Sequence, residues 1–570
     1  MTDKRSEVLL LALVLVLAAA LRSWGIGFGL PYVLHQDEPI IVNHALAYGS
    51  GDLNPHFFII PPFASYLVFA CYAVYYLLGN ISGMFPGPEN FAVSFFSDPT
   101  AFYYIARVVL GFIPSVLSVW LVWMLHKRLF GGRGPLFAAV LTAVSFLAVV
   151  NAHYAYVDNM MVFFVLAVYL AMTGMMARPS LMRYVVCGAL LGLAVSVKYN
   201  SAILAVPFFI AHVAAKYDVP KKRSIFLDKY LWMAVLAGLA AFVITNPFAV
   251  LDWRAFLFGG LGKIRHEYIG WTHHLSYSVS EGIGGSFLVT ALAGSLIVFF
   301  REKKIKALFF LSFPVVFYIH LVLGSQQFSR YALPLIPFIA ISTSYLIFAF
   351  LAPAAKNRFV RAVVYGIAVM LAVPTAVKSI TADMLFTAGD TRAVSAEWIE
   401  KNIPQGTTIA VDHTAFRPCI FQAREQILEK QGLINAEKGL DRLKDKKIDY
   451  MLKAAESKKA YNVYFMKGGA RSVQFLSEAP SIDPDMKALR DNGIEYVVVN
   501  YNDRSPVKES FLKALAEKAS IIKTFSPYRD NAVRAPYDGT DMTFMAIGTK
   551  ELLSRRLTGP CLVIYKMRNT

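Results

Sequence analysis

Two adjacent carboxylates follow the first long apolar run of the chain. Asp37 and Glu38 end the sequence HQDE, which begins at His35. Neighbouring carboxylates beside an apolar helix are costly unless they are hydrated, paired or used in a reaction. A carboxylate placed in this way can act as a general base toward a hydroxyl group. A solvated loop is the alternative that these residues leave open.

A third carboxylate, Asp158, stands at the start of another apolar run. It lies in the sequence NAHYAYVDN, which begins at Asn151. Because NMMVFFV follows it, Asp158 could serve as a helix N-cap. Capping and a role in a reaction are compatible, so we keep Asp158 as a candidate catalytic residue.

Three cations stand where apolar segments begin or end. They are Arg107, Lys198 and Arg330, and Tyr331 follows the last of them. Each could be an interface anchor or a side chain that snorkels toward water. A group of cations beside acids also suits a lipid-linked phosphate, which Lys binds as a point charge and Arg binds with its planar fork.

A polar loop at 252–285 raises the question of a metal. Its spacing fits no zinc signature such as HExxH, and contact with a phosphate or substrate is the favoured interpretation. We therefore predict no metal site and no cofactor, although acidic loops facing one cavity could hold a divalent ion. The loop's candidate residues are Lys263, Arg265, His266, Glu267, His273, His274 and Glu281.

Composition places these residues in a polytopic membrane protein. Of 570 residues, 56% are hydrophobic and only 16% are charged, whereas soluble domains carry roughly a quarter charged residues. A soluble multidomain protein and a disordered chain are both excluded. We predict eleven transmembrane helices, at 7–28, 104–125, 135–151, 159–177, 183–197, 200–215, 229–249, 286–300, 307–324, 331–352 and 361–379.

The basic residues predict the orientation in the membrane. They contribute to a net charge of +18 and cluster in every second loop, for example at Lys127 and Arg128. Such clusters mark cytoplasmic loops rather than a nucleic-acid surface. We therefore predict a multi-pass protein of the cytoplasmic membrane, with its N-terminus inside and its C-terminal domain outside.

One apolar segment conflicts with this count. Residues 57–79 could span the bilayer, but a span there would move every later basic cluster to the outside. The following stretch, 80–102, contains neither Lys nor Arg. We predict that 57–79 lies along the outer face or re-enters the membrane, and an ordinary span remains the alternative.

The last 190 or so residues have a different pattern, with short apolar runs in place of long apolar segments. Short apolar runs at 407–412, 494–500, 520–525 and 561–566 predict buried strands, and 391–402 and 423–447 predict helices. We predict a transmembrane domain at 1–380 and an extracytoplasmic α/β domain at 381–570. Cys419 and Cys561 could form a disulfide if this domain lies outside the cytoplasm.

An ordered set of sequence features resembles the glycosyltransferase C superfamily. The set comprises the Asp-Glu pair, NPHFFIIPPF, the AR that ends at Arg107, HxxxxD around Asp158, GLAVSVKYN and RYALPLIP. The resemblance covers roughly residues 7–380. It is closest to the family of protein O-mannosyltransferases and lipid A aminoarabinose transferases, with related bacterial polyprenyl-linked glycosyltransferases. The tail resembles the extracytoplasmic domain of the bacterial members.

This resemblance implies transfer of a sugar from a polyprenyl phosphate to an acceptor hydroxyl, with inversion at the anomeric carbon. It implies Asp37 as the general base, Glu38 as its partner and Asp158 as a second acidic residue. It implies outer-face helices in the first outer loop, and no obligatory ion. Candidate substrate-binding residues are Arg107, Lys198, Arg330, Tyr331, His56, His273 and His274.

Two other classes of function remain open from the sequence. A secondary transporter or lipid flippase would also carry ionisable residues at membrane level, although such proteins usually place them near the midplane between inverted repeats. A non-catalytic surface scaffold would tolerate alanine at Asp37, Asp158 and Lys198. Neither the sugar nor the acceptor, whether protein, lipid or glycan, follows from the sequence.

Overall fold

In the computed structural model, the described residues are 4–216, 225–260, 270–324, 328–412, 418, 420–429, 442–456, 458–467, 480–501, 506–535 and 547–568. The N-terminal part is helical. Its helices are α1 Lys4–Ser23, α2 Glu38–Ala47, α3 Phe63–Ile81, α4 Pro88–Ser97, α5 Thr100–Arg107, α6 Ile113–Leu129, α7 Gly134–Ala143, α8 Phe146–Asn151, α9 Asp158–Ala177, α10 Leu181–Val197, α11 Ala205–Lys216, α12 Lys229–Thr245, α13 Phe248–Leu251, α14 Ser280–Gly282, α15 Gly285–Arg301, α16 Lys304–Leu323, α17 Ile336–Tyr345, α18 Ala352–Ala354 and α19 Arg358–Ala388.

These helices form a multi-pass membrane protein. Seven helical segments in the described ranges are long and apolar enough to cross a bilayer, or eight if the bent pair His274–Gly282 and Gly285–Arg301 is one span. Helices occupy all eleven predicted segments. Six of these segments coincide with one of the seven long helical segments, and 286–300 lies in the bent pair. In the other four, 135–151, 183–197, 200–215 and 229–249, the helices have 17 residues or fewer. The count of eleven spans therefore stays a prediction.

The C-terminal part is an α/β domain built on one sheet. The strand order is β2-β3-β1-β5-β7-β6. Neighbouring strands are parallel from β2 to β5, whereas β7 is antiparallel to both β5 and β6, and β4 pairs in parallel with β3. Ile409 and Val411 pack on one face and Ala410 on the other, as expected for strands covered on both sides. Its elements are α20 Thr391–Asn402, β1 Thr408–Asp412, β2 Phe421–Gln422, α21 Arg442–Ala455, β3 Ala460–Met466, β4 Ser481–Ile482, α22 Met486–Asp491, β5 Tyr496–Asn500, α23 Pro506–Lys518, β6 Ala519–Phe525, α24 Thr549–Ser554 and β7 Leu562–Met567.

The two parts of the chain share a hydrophobic cluster. Ile547 and Leu552 of the C-terminal domain pack with Phe28, Leu34 and Phe386 of the membrane part. Helix α19 runs through the predicted boundary at 380 and ends at Ala388. The boundary predicted from composition therefore falls inside a helix. Cys561 is buried, and Cys419 lies outside the described residues, so their pairing is untested.

Helix α3 occupies the segment predicted to stay on the outer face. It is long and apolar enough to span a bilayer. Its neighbours on both sides nevertheless touch the C-terminal domain. Before α2, the Leu34 carbonyl accepts a hydrogen bond from Arg392, and in α4, Glu89 pairs with Lys453. These contacts support a path for α3 that leaves and returns on one side of the membrane, and this path stays a prediction.

Candidate active site

Two carboxylates and two cations from four separate segments meet in one cluster. Arg330 Nη2 lies 2.6 Å from Asp37 Oδ2, and Arg330 Nε lies 3.5 Å from Asp158 Oδ2. Lys198 Nζ lies 2.5 Å from Asp158 Oδ1. The formal charges of these four side chains cancel, which lowers the cost of placing them beside apolar helices.

The ends of helices bring these side chains together. Asp37 immediately precedes α2, and Asp158 is the first residue of α9. Lys198 follows α10 in extended conformation, and Arg330 lies in a short helical turn, Ser329–Leu335. Neither carboxylate makes a side-chain cap bond. The alternative of Asp158 as an N-cap is therefore wrong, because its carboxylate is turned toward Lys198 and Arg330.

Three polar atoms of the cluster have no hydrogen-bond partner among the residues that the structure describes. Arg330 is 5% exposed, and its Nε and Nη1 atoms have no hydrogen-bond partner in the described ranges. The buried Oδ2 atom of Asp158 likewise has no hydrogen-bond partner in the described ranges. Buried polar groups in native proteins are normally satisfied. Unused donors on a buried guanidinium are what an anionic ligand requires.

Aromatic rings surround the two cations. Lys198 Nζ lies 4.3 Å from the ring centre of Tyr331. The Arg330 guanidinium lies 4.7 Å from the ring centre of Phe328 and 4.9 Å from that of Tyr156. Burial raises the pKa of the Tyr156 hydroxyl well above its ordinary value, so this ring stays neutral. The rings exclude water on these sides, and charge interactions are stronger there.

Glu38 and Arg107 form a separate buried pair. Arg107 Nε donates to Glu38 Oε1 at 2.7 Å, and Nη2 donates to Oε2 at 2.8 Å. Arg107 Nη1 donates to the carbonyls of Ile26 and Phe28, and Glu38 also accepts from the Ala155 amide. Both side chains are fully buried. The expectation that Arg107 contacts phosphate and Glu38 assists as a catalytic group is therefore not supported, because the protein itself uses their polar atoms.

The sequence reasoning did not assign a role to His35. The Asp37 amide donates to His35 Nδ1 at 3.2 Å, and the imidazole packs against the ring of Tyr154 at 4.3 Å between centres. Burial lowers the pKa of His35 to about 3, so the ring is neutral and Nδ1 can accept. Its position two residues before Asp37 was the only available signal.

The other predicted histidines do not contact the acidic cluster in the described residues. His56 is exposed and lies 2.8 Å from Asp52, within its own turn. His274 is buried with Nδ1 2.8 Å from Ser278, and its turn lies against the one that carries Arg330. His273 packs against the ring of His274. Lys263, Arg265, His266 and Glu267 lie outside the described residues.

A metal site would require several His, Cys, Asp or Glu side chains to lie close together. In the part of the chain that the structure describes, no three or more His, Cys, Asp and Glu side chains are grouped as a metal site would require.

Comparison with known families identifies one match. The family described as dolichyl-phosphate-mannose-protein mannosyltransferase matches residues 101–247. This stretch contains Arg107, Asp158 and Lys198 but neither Asp37 nor Arg330. The match confirms the resemblance predicted from the sequence and indicates that the chain is a glycosyltransferase. No curated protein matches the chain significantly.

Two solved structures show a distant likeness. ArnT from Cupriavidus metallidurans bound to undecaprenyl phosphate is 16% identical, covering 90% of this chain and 96% of that chain with a TM-score of 0.48. The Archaeoglobus fulgidus oligosaccharyltransferase in the apo form is 13% identical, covering 99% of this chain and 89% of that chain, also with a TM-score of 0.48.

Proposed function

We propose that the protein transfers a sugar from a polyprenyl phosphate to an acceptor hydroxyl on the extracytoplasmic face of the cytoplasmic membrane. One observation carries the proposal, namely that Asp37, Asp158, Lys198 and Arg330 form a single cluster with unused hydrogen-bond donors. The family match at 101–247 supports a lipid-linked sugar as the donor.

Lys198 and Arg330 bind the donor's phosphate. The ammonium is a point charge, and the guanidinium offers Nη1, which has no hydrogen-bond partner among the described residues, beside the Nε that faces Asp158. When the phosphate leaves, it gains negative charge, and both cations stabilise it more strongly than they stabilise the bound donor. Preorganised charges of this kind are usually the largest contribution to catalysis.

Asp37 is the general base. Its side chain is 18% exposed, whereas that of Asp158 is 4% exposed. Asp158 also faces both cations, so it serves to orient them rather than to receive a proton. A phosphate that draws Arg330 toward itself weakens the contact between Arg330 and Asp37, which leaves the Asp37 carboxylate free to approach the acceptor.

The reaction is one displacement. The acceptor hydroxyl gives its proton to Asp37, and its oxygen bonds to the anomeric carbon on the face opposite the phosphate. The bond from that carbon to the phosphate oxygen breaks, and its electron pair stays on the phosphate. One displacement inverts the anomeric configuration, whereas a covalent intermediate on Asp37 would retain it. No step requires a metal ion.

The transporter alternative receives less support from the same geometry. Transporters hold ionisable residues near the midplane, at unwound helices related by inverted repeats. Here the charged residues lie at or next to the ends of helices. The acceptor is a hydroxyl of a protein, a lipid or a glycan, and the shape of the pocket selects among them.

A complementation experiment tests the proposal. Glycans, lipids and glycoproteins of a deletion strain are compared by mass spectrometry with those of strains that express wild-type protein or the Asp37→Asn variant. We expect one glycosylated product to disappear in the deletion strain, to return with wild type, and to fall by about 10²–10⁴-fold in rate with Asp37→Asn, the usual contribution of a general base.

Asp52→Asn provides the control, because Asp52 is an exposed carboxylate in the same outer loop. It should restore the product fully. Normal product formation by Asp37→Asn would end the assignment of Asp37 as the base, and an unchanged glycan profile in the deletion strain would end the assignment of sugar transfer.

A further inference from the structure

We propose that Arg392 is a positioning residue through which the C-terminal domain fixes the loop that carries Asp37. Its consequence for catalysis rests on the proposed function, whereas its effect on the loop does not. The C-terminal domain then helps to set the position of Asp37 in the cluster.

Arg392 connects two parts of the chain that are 358 residues apart. It is fully buried at the start of α20. Nε donates to Asp390 Oδ1 at 2.8 Å and Nη2 to Asp390 Oδ2 at 2.9 Å. Nη1 donates to the Leu34 carbonyl at 3.2 Å. One edge of the guanidinium thus binds a carboxylate of its own domain, while Nη1 binds the loop before α2.

The domain side of this contact is firmly anchored. Thr558 donates its hydroxyl to Asp390 Oδ2 at 2.8 Å, and its carbonyl accepts from the Thr391 amide at 3.1 Å. A Cβ on Gly559 would come within 2.5 Å of Asp390 Oδ1, which shows how closely this strand-like segment packs on the carboxylate. Arg392 therefore has little freedom to follow a moving loop.

The loop side leads directly to the proposed base. The Leu34 side chain belongs to the buried cluster that also contains Ile547 and Leu552 of the C-terminal domain. One residue later, His35 accepts a hydrogen bond from the amide of Asp37. Arg392 thus holds the Leu34 backbone, the Leu34 side chain lies in a cluster shared by both parts of the chain, and the next residue holds the backbone of Asp37.

The chemistry of this contact requires a guanidinium. Two of its nitrogens grip the Asp390 carboxylate while the third reaches Leu34, an arrangement that depends on the planar fork of arginine. A lysine can retain the charge pair with Asp390 but not the additional contact. Small displacements of a catalytic group reduce rate strongly, so we expect loss of transfer without loss of donor binding.

The test measures the loop separately from activity. Hydrogen exchange of peptides covering residues 30–40 is followed by mass spectrometry in full-length wild type, Arg392→Lys and Arg392→Gln. The matched control is Lys508→Gln, which breaks a buried ion pair with Asp412 in the same domain. Undecaprenyl phosphate binding and release of polyprenyl phosphate in native membranes are measured on the same proteins.

We expect both Arg392 variants to exchange the loop at least about tenfold faster than wild type, with the control unchanged there. Undecaprenyl phosphate should bind within threefold of wild type, while the rate of release falls at least tenfold. Thr558→Val is a second variant in case the Arg392 variants fold poorly. It keeps Arg392 and removes a hydrogen bond to Asp390, so we expect a smaller rise in the exchange rate of the loop.

Wild-type exchange in both Arg392→Lys and Thr558→Val would overturn the proposal. An equal rise in Lys508→Gln would also overturn it, because general weakening of the domain would then suffice. If Asp37→Asn retains transfer, the proposed function fails, but the exchange result still decides whether Arg392 holds the loop.

Discussion

At the scale of single residues, Arg107 and Arg330 differ in how many of their nitrogen atoms donate hydrogen bonds to described protein atoms. Arg107 donates from all three of its nitrogens to protein acceptors. Arg330 keeps Nε and Nη1 without a hydrogen-bond partner in the described ranges. From this difference we infer that Arg107 is structural and propose that Arg330 binds the phosphate, although both stand at the ends of apolar segments in the sequence.

Replacing Arg330 by lysine should weaken phosphate binding without removing the positive charge. Lysine lacks the planar fork, so we expect the Kd for undecaprenyl phosphate in lipid nanodiscs to rise about tenfold, or about 1.4 kcal/mol. Arg301→Lys, at the far end of α15, is the control and should leave the Kd unchanged. Equal affinity of wild type and Arg330→Lys would contradict the assigned role of Arg330.

The sequence identified Asp37, Asp158, Lys198 and Arg330 as candidates. Each combines a charge with the end of an apolar run, and that combination is visible without coordinates. The pairing of Glu38 with Arg107 was not visible, because the two residues are 69 positions apart and nothing in either segment specifies its partner.

At the scale of elements, the Glu38–Arg107 pair fixes the start of α2, directly after Asp37. It joins the start of α2 to the end of α5, and through the Ile26 and Phe28 carbonyls it holds the chain that follows α1. The π-helical turn at Val108–Phe112 continues α5 directly into α6. The loop that carries Asp37 is therefore anchored by buried charge at one end and by Arg392 at the other.

Glu38→Gln should destabilise the whole protein. The substitution leaves the Arg107 charge buried without a counter-charge, a change that typically costs about 3–5 kcal/mol. We expect a clearly lower thermal midpoint in detergent. Glu7→Gln removes a partly exposed pair with Lys127, which is worth less than about 1 kcal/mol, and it is the control. Similar losses in both variants would contradict the structural role.

Elements were predicted well where the pattern was local. The predicted helix at 391–402 coincides with Thr391–Asn402, and the predicted strand at 494–500 contains Tyr496–Asn500. The strand Ala460–Met466 was missed, because Asn462 interrupts a short run of aromatic residues. Its identity as a strand depends on pairing with Thr408–Asp412, a contact between distant parts of the chain.

At the scale of the whole molecule, the C-terminal domain contacts the segment that leads to Asp37 and also helix α4. Arg392 touches the loop before α2, and α4 touches α21 through Glu89–Lys453 and Phe96–Tyr450. The positive-inside rule predicts that the side with these contacts faces away from the cytoplasm. Ile547 and Leu552 share a buried cluster with Phe28 and Phe386, so the two parts of the chain pack against each other there.

The orientation can be tested at the end of α3. In a background without the native cysteines, Ser82→Cys should react with a membrane-impermeant maleimide added to intact cells, because Ser82 is exposed and predicted to face outward. Met182→Cys, beside the predicted cytoplasmic basic residues at the start of α10, is the control and should react only after permeabilisation. The reverse pattern at Ser82 would make α3 an ordinary span.

The most direct test of the central claim is to measure donor binding and transfer on one Asp37→Asn preparation. Binding is measured with undecaprenyl phosphate, and transfer is followed in native membranes as polyprenyl phosphate released from lipid-linked sugars, which needs no knowledge of the sugar. We predict binding within about threefold of wild type and release reduced by about 10²–10⁴-fold. Release at the wild-type rate would contradict the account.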